Sequence, residues 1–328
     1  MLAARLELAL NEGALVLPPA GGILVLRPRA GDDLSPLPRD RVVVRSGFRP
    51  DFDHFQKMGY ATDGDGPFAA AVVCLPRARA AALALLAEGL AALPPGAPLL
   101  LDGQKTDGIE AIIKACRMAG LQMGEVLSKA HGKAVVLTAA APPQDWFARR
   151  QQVADLFTTG PFCFSADGPD RGSVLLAAAL PARLPARVAD LGGGWGYLSH
   201  AILAREGVAE LDVVEAEAEA LACAALNIRD PRARLHWADA TSFKPSRLWD
   251  AVVMNPPFHS GRSPDPALGE AFIRAAHRYL TPSGSLWLVA NRHLPYDRSL
   301  SALFRQVEEI GGDAAFRLTR AALPIRAR

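Results

Sequence analysis

The chain is poor in the features that would place it outside the cell or in a membrane. It has four cysteines, Cys74, Cys116, Cys163 and Cys223, and no two stand at CxxC spacing. That excludes a disulfide scaffold and a cysteine-based zinc site, and it suits a reducing cytoplasm. The longest clean apolar runs, residues 68–75 among them, are far below the ~20 residues a bilayer crossing requires. The first residues alternate Leu and Ala with Arg5, Glu7 and Glu12, unlike the unbroken apolar stretch of a secretory signal. No membrane partner is expected. The seven histidines show no HExxH or other ligand spacing, so no metal is expected either. Charge excess is equally scarce: 36 Lys and Arg against 34 Asp and Glu leave a net charge of +2. Bulk charge therefore cannot hold nucleic acid, and any such binding needs a local patch.

What is present is apolar bulk. Half of the 328 residues are hydrophobic and 21% are charged, enough for a sizeable core, and at ~150 residues per domain the length suggests two. The Ala/Pro-rich segment 139–145 lacks strand or helix periodicity and reads as a boundary between domains 1–145 and 146–328. The second half alternates strands at 187–190, 210–215, 234–237, 250–254 and 285–290 with helices at 197–205, 216–227 and 268–279. Such alternation calls for an α/β fold, a parallel sheet with helices on both faces and ligands at the carboxyl ends of its strands.

The first half resembles a worn copy of the second. Segment 70–76 resembles 250–256, 93–101 resembles 280–288, and 134–140 resembles 315–321, in the same order. This argues for duplication of one α/β unit, the alternative being similarity by composition. Leu75-Pro-Arg77 stands where Asn255-Pro-Pro257 stands later, so the first copy is expected to be non-catalytic.

The loop Asp190-Leu-Gly-Gly-Gly-Trp-Gly196 follows a strand and opens a helix. Glycines let a ligand approach the backbone, and the helix N-terminus offers free N–H groups. The dinucleotide fingerprint G-x-G-x-x-G fails, because its third glycine would fall on Tyr197. The pattern is instead D-x-G-x-G-x-G, with Asp190, Gly192, Gly194 and Gly196. It suits S-adenosylmethionine, whose amino-acid part can lie over the glycines while a carboxylate faces its ammonium. Glu215, ending the next strand, can accept both ribose hydroxyls, and Asp239, after the third, can accept from the adenine amino group. A nicotinamide cofactor and a glycine turn without ligand are the competing readings.

The fourth strand ends in Met254-Asn-Pro-Pro-Phe258. Pro256 and Pro257 fix φ and remove two N–H donors, leaving the Asn255 side-chain oxygen and the Pro256 carbonyl as acceptors. A planar exocyclic amine offers two N–H donors and a delocalised lone pair. Two acceptors that grip those hydrogens favour the sp3-like transition state of methyl transfer. In-line placement against the methyl sulfonium supplies much of the remaining acceleration, and no strong general base is required. Phe258 can stack on the ring. An isolated Asn-Pro-Pro is an ordinary turn. This one stands 65 positions (255 minus 190) after the aspartate of the glycine loop, at the fourth strand tip, and reads as a target-amine site, with Asn255 shared with the cofactor set.

These residues resemble the class I S-adenosylmethionine-dependent methyltransferases acting on planar nitrogens. More closely, they resemble the bacterial ribosomal RNA guanine-N2 methyltransferases of the small-subunit methyltransferase C type. The shared pattern extends to Phe164-Ser-Ala-Asp-Gly-Pro-Asp-Arg-Gly-Ser173, to Asn255-Pro-Pro-Phe-His-Ser-Gly261 and to Val289-Ala-Asn-Arg-His-Leu-Pro-Tyr296. It covers most of 150–328 with specific motifs, and 1–145 through the layout of a degenerate duplicated domain. The resemblance implies two tandem Rossmann-like methyltransferase domains, the N-terminal one degenerate and helping with RNA binding and folding. It implies methyl transfer from S-adenosylmethionine to the 2-amino group of one guanine in ribosomal RNA, with 16S favoured and 23S the alternative. The implied partner is ribosomal RNA or a ribosomal subunit, and a monomer is favoured. Asn255, Pro256 and Phe258 match the target-amine and stacking positions, Pro257 completing that motif. Asp190, Gly192, Gly194 and Gly196 match the cofactor loop and Glu215 the ribose carboxylate. The bulky Trp195 among the glycines departs from the family pattern. A protein-glutamine methyltransferase and an RNA-binding assembly factor without turnover are the other readings; Tyr is more usual than Phe258 in the first.

Other residues read two ways. His259 can touch base or phosphate or cap a turn, and Asp167 and Asp170 can close the cofactor pocket or cap the next helix. Cys223 reads as packing. Arg292, His293, Arg298, Arg317, Arg320, Arg326 and Arg328, with Arg39, Arg41, Arg45, Arg49, Arg77 and Arg79 of the first half, are candidate RNA contacts or solvated surface charge.

Overall fold

A computed structural model describes residues 1–257, 259–260, 263–264 and 266–326. The chain divides into two compact units, Met1–Arg149 and Arg150–Arg328.

In the first unit, runs of Val, Leu and Ala build strands buried on both faces, as parallel sheets require. Helix α1 (Leu2–Asn11) precedes β1 (Gly22–Leu26) and β2 (Val42–Arg45). Then come α2 (Arg49–Lys57), β3 (Phe68–Cys74), α3 (Arg79–Ala91), β4 (Pro98–Gln104), α4 (Ile109–Met118), β5 (Leu127–Lys129) and β6 (Gly132–Thr138). One sheet results, in the order β2-β1-β3-β4-β6-β5. Strands β1 to β4 are parallel, and β6 is antiparallel to β4 and β5. Helix α1 delivers Arg5, 1% exposed, to Asp102 on β4, 5% exposed. Its Nε and Nη2 donate to the two carboxylate oxygens at 2.5 and 2.9 Å. A single 3-10 turn, Gln144–Trp146, ends the unit, with Trp146 buried and the turn packed on α3.

The second unit opens with the hairpin β7 (Gln151–Val153) and β8 (Phe157–Thr159), then α5 (Arg171–Ala179) and β9 (Arg187–Leu191). Next are α6 (Tyr197–Leu203), β10 (Glu210–Glu215), α7 (Ala218–Asn227), β11 (Ala233–Trp237) and β12 (Trp249–Met254). The short pair β13 (His259–Ser260) and β14 (Ser263–Pro264) leads to α8 (Pro266–Tyr279) and β15 (Leu280–Asn291). The chain continues through α9 (Tyr296–Leu303), β16 (Phe304–Gly312) and β17 (Phe316–Pro324). The sheet runs β11-β10-β9-β12-β15-β17-β16. The first five are parallel, and β17 is antiparallel to β15 and β16.

Alternation along β12 splits the core. Val252 and Met254 join the cluster with Phe272 and Ile273 of α8, whereas Ala251 and Val253 join the one with Leu176 of α5 and Ile202 of α6. Each fully buried Val, Leu or Ile among them contributes about 1.5–3 kcal/mol.

Without β11, the second sheet reads β10-β9-β12-β15-β17-β16, which matches the first unit strand for strand and direction for direction. The three similar segment pairs fall on β3 and β12, β4 and β15, β6 and β17. The fold is thus two tandem α/β units of one topology. Their carboxyl ends differ: β1 runs into Arg27-Pro-Arg29 where β9 runs into the glycine loop. Some ends also differ from the sequence reading. Helix α7 starts at Ala218 rather than 216, α6 stops at Leu203 rather than 205, and the strand expected at 285–290 spans Leu280–Asn291. No described helix is long and apolar enough to cross a membrane.

Candidate active site

Strand order reverses between β9 and β12, and open α/β sheets bind ligands at the carboxyl ends beside such a switch point. Register fixes what gathers there. Asp190 is paired with Val213 of β10 and Val253 of β12, so Glu215 and Asn255 each lie two positions past its partners. Glu215 is paired with Trp237 of β11, and Asp239 lies two positions past that. Four residues from four adjacent strands therefore reach one rim.

The glycine loop holds positive φ at Gly192 (74°), Gly194 (56°) and Gly196 (95°). A Cβ on Gly194 would meet nothing within 4 Å, whereas one on Gly196 would stand 2.8 Å from Ile228 Cδ1. The Gly194 N–H donates to Glu215 Oε2 at 2.8 Å, and the Glu217 N–H donates to Glu215 Oε1 at 2.7 Å. The second bond holds 215–217 in a turn and delays the start of α7. Burial raises the Glu215 pKa while these backbone donors pull it down. A carboxylate has about four lone-pair directions, so acceptor capacity is left over.

Asp190 is wholly buried, and its Oδ2 accepts from the Ser199 hydroxyl at 2.6 Å. Its Oδ1 is buried without a partner among the described residues. Burial pushes its pKa up to about 7, against the Ser199 hydrogen bond and with help from the Glu215 charge. Asp239 Oδ1 accepts from the Thr241 N–H at 2.8 Å and the Thr241 hydroxyl at 2.7 Å, a local turn that leaves Oδ2 outside it.

Trp195 turns away from the rim. Only 4% exposed, it packs with Phe157, Cys163, Ala220 and Cys223. Its indole N–H donates to the Phe164 carbonyl at 3.0 Å, and its own carbonyl accepts from Asn227 Nδ2 at 2.7 Å. The bulk that departs from the family pattern thus lies beneath the loop and tethers segment 164–173 to it.

At the tip of β12, Asn255 Nδ2 donates to Asp170 Oδ2 at 2.8 Å and to Ser173 Oγ at 2.9 Å. Asn255 Oδ1 is buried and accepts nothing among the described residues. Pro256 is buried and Pro257 exposed. Phe258 and the side chain of His259 lie outside the described residues, as does Arg328. Asp170 does cap α5, accepting from the Ser173 N–H at 3.0 Å, while Asp167 accepts from Gln151 Nε2 at 3.4 Å. Ser173 and Ser199 escaped the sequence reading as site residues. Ser173 closes the quoted 164–173 motif, but nothing local marks a hydroxyl in the first turn of a helix as an active-site partner. Of the basic candidates, Arg292 pairs with Glu309 and Arg317 with Asp297. Among the described residues no cluster of His, Cys, Asp and Glu could hold a metal ion.

Residues 156–320 match the family described as Methyltransferase small domain. Fold and site together define an α/β methyltransferase. The chain is 31% identical over 278 residues to Ribosomal RNA small subunit methyltransferase C of Aeromonas hydrophila, covering 81% of this chain and 79% of that one. To the protein of that name from Hahella chejuensis it is 28% identical over 321 residues, 94% and 93% of the two chains. The solved T. thermophilus 16S rRNA N2 G1207 methyltransferase, in complex with AdoMet and guanosine, aligns with a TM-score of 0.81 at 26% identity, covering 97% of this chain and 91% of that one. The chain belongs to the ribosomal RNA small subunit methyltransferase C family.

Proposed function

We propose that this chain transfers a methyl group from S-adenosylmethionine to the exocyclic N2 amine of a guanine in 16S ribosomal RNA, working in the cytoplasm on RNA or a small ribosomal subunit. The observation that carries this is the Asn255 carboxamide: its nitrogen is tied back to Asp170 and Ser173 while its oxygen, buried and unpartnered, stands at the switch point beside the glycine loop. The relatives' names specify small-subunit RNA, and the solved relative holds AdoMet and guanosine.

Bound S-adenosylmethionine supplies an electrophilic methyl group on sulfur. Gly192, Gly194 and Gly196 give the cofactor room, and the unpartnered Asp190 Oδ1 suits its ammonium. Glu215 has acceptor capacity left for the ribose hydroxyls, and Asp239 Oδ2 for the adenine amine. Asn255 Oδ1 and the Pro256 carbonyl grip the target N–H groups, Pro257 stiffens the turn and Phe258 stacks on the base. The N–C bond forms as the S–C bond breaks, and the amine's extra proton leaves to water. Because each N–H donates more strongly as nitrogen becomes tetrahedral and positive, the acceptors act mainly on the transition state. A guanine within a helix has to be flipped out to reach them. The first unit serves RNA binding and folding.

The test is methyl transfer from radiolabelled cofactor to undermethylated small subunits, large subunits and total protein in parallel, followed by nucleoside analysis. Label in N2-methylguanosine of 16S RNA is expected. Label confined to large subunits or to protein overturns the assignment. Asn255→Ala is expected to abolish transfer while leaving cofactor affinity nearly intact, and unchanged turnover would overturn the role given to it.

A further inference from the structure

We infer that Asp170 and Ser173 are positioning residues that decide which edge of the Asn255 carboxamide meets the target amine. The inference rests on the role just proposed for Asn255.

A carboxamide has two edges of nearly equal size and opposite hydrogen-bonding sense. If the NH2 edge faced the amine, donors would oppose donors and the site would repel its substrate. An Asn at a strand tip does not settle this by itself. Its neighbours do: a carboxylate only accepts, so an oxygen turned towards Asp170 Oδ2 would meet another acceptor with no hydrogen between them. The 2.8 Å contact therefore admits the NH2 edge alone, and Ser173 Oγ takes the second hydrogen at 2.9 Å. With both hydrogens engaged, Oδ1 is left as the free, buried acceptor. A carboxylate accepting from the amide also draws electron density towards Oδ1, which strengthens the acceptor.

Asp170 is itself held. Its Oδ2 accepts from the Ser173 N–H at 3.0 Å at the start of α5. A Cβ on Gly172 would stand 3.0 Å from that oxygen and 3.1 Å from the Phe316 ring, so the absent side chain lets β17 close on the first turn of α5. Arg171 adds an ion pair to Asp313 at 2.7 Å. One carboxylate thus caps a helix and orients an amide 85 positions away.

Asp170→Ser separates the two duties. Ser is as good an N-cap as Asp, so α5 keeps its cap, but a hydroxyl both donates and accepts and no longer dictates the orientation of Asn255. The expected result is a fall in kcat of about 10- to 100-fold, since small misplacements at a reacting centre cost that much. Cofactor Kd is expected to stay within about twofold and Tm within about 2 °C, because the cap persists. Ser173→Ala is expected to lower kcat by about 3- to 10-fold, one acceptor of two being lost. Exchanging donor and acceptor in Asp170→Ser/Asn255→Asp should recover part of the activity lost in Asn255→Asp alone, because the hydroxyl at position 170 then donates to the carboxylate at 255 while its oxygen still accepts from the Ser173 N–H.

Wild-type kcat in Asp170→Ser overturns the inference, as does a double variant no better than Asn255→Asp. If wild type methylates guanine and Asp170→Ser does so equally well, the inference fails and the proposed function stands. If wild type binds cofactor but transfers no methyl to guanine, the proposed function fails and the inference falls with it.

Discussion

Gly194 donates its backbone N–H to Glu215 across 2.8 Å, so the glycine loop and the carboxylate at the next strand tip form one hydrogen-bonded piece. The two flanking glycine positions are nonetheless expected to fail differently. Gly194→Ala puts a methyl into open space at φ 56°, a left-handed conformation that costs an L-residue about 1–2 kcal/mol. It should weaken cofactor binding at least about tenfold, by placing that methyl where the cofactor is proposed to lie. Gly196→Ala, 2.8 Å from Ile228 at φ 95°, should instead destabilise the fold, by about 2–4 kcal/mol. Calorimetric titration and denaturant unfolding of the two variants check the contrast.

The pH dependence of cofactor binding follows from Asp190. Its pKa is raised to about 7 by burial, so the cofactor-free protein holds it neutral below that value. In the proposed site the cofactor's ammonium faces this carboxylate and favours its charged form, so affinity should improve about tenfold from pH 6 to pH 8, with proton release on binding. Stability of the cofactor-free protein moves the other way. Between about pH 4 and 7 the unfolded state ionises first, so this group's contribution falls as pH rises and levels off above 7. Asp190→Asn should flatten both profiles, as measured by titration in buffers of different ionisation enthalpy and by thermal unfolding.

Trp195 is expected to matter for stability through two separable contributions. Its ring lies 5.1 Å from Phe157 and 5.8 Å from Tyr197 between centroids. Trp195→Ala should cost about 3–5 kcal/mol, as large-to-small core changes do. Trp195→Phe retains most of the bulk, loses the bond to the Phe164 carbonyl, and should cost about 1 kcal/mol. Urea unfolding monitored by circular dichroism distinguishes them.

In the first unit, Asp102→Ala leaves Arg5 charged and unpaired at 1% exposure. A loss of about 3–5 kcal/mol is expected. Replacing both partners with apolar residues, Arg5→Met with Asp102→Leu, should recover most of it. Denaturant unfolding of the three chains checks the order.

Legibility in the sequence tracked how local each cause is. Runs such as Leu211-Asp-Val-Val214 and Ala251-Val-Val-Met254 announce strands because buried parallel strands need little else. The glycine loop and Asn255-Pro-Pro257 are contiguous, and parallel register carries Asp190, Glu215, Asp239 and Asn255 to one rim. What could not be read depends on side chains that meet only after folding. Asp170 was legible as a helix cap, but its bond to Asn255 was not. Ser199 carries no motif, and its bond to Asp190 exists because α6 lays that hydroxyl over a wholly buried carboxylate. The direction of Trp195 was hidden for the same reason, since its pocket is built from β8, α7 and the 163–164 segment.

One border of the second sheet is formed by β16. Six of its nine residues in sequence order, from Arg305 to Ile310, include Glu308 and Glu309, and all but Ile310 are exposed. Pairing with β17 slips between Glu309 and Gly311, and Gly311 and Gly312 both take positive φ. A foreign strand approaching this border would have to bury carboxylates and iron out a bulge, two devices that protect sheet edges from self-association. A chain holding two sheets of the same topology is exposed to wrong pairing between its own halves during folding. The charged, kinked edge makes that exchange costly at β16.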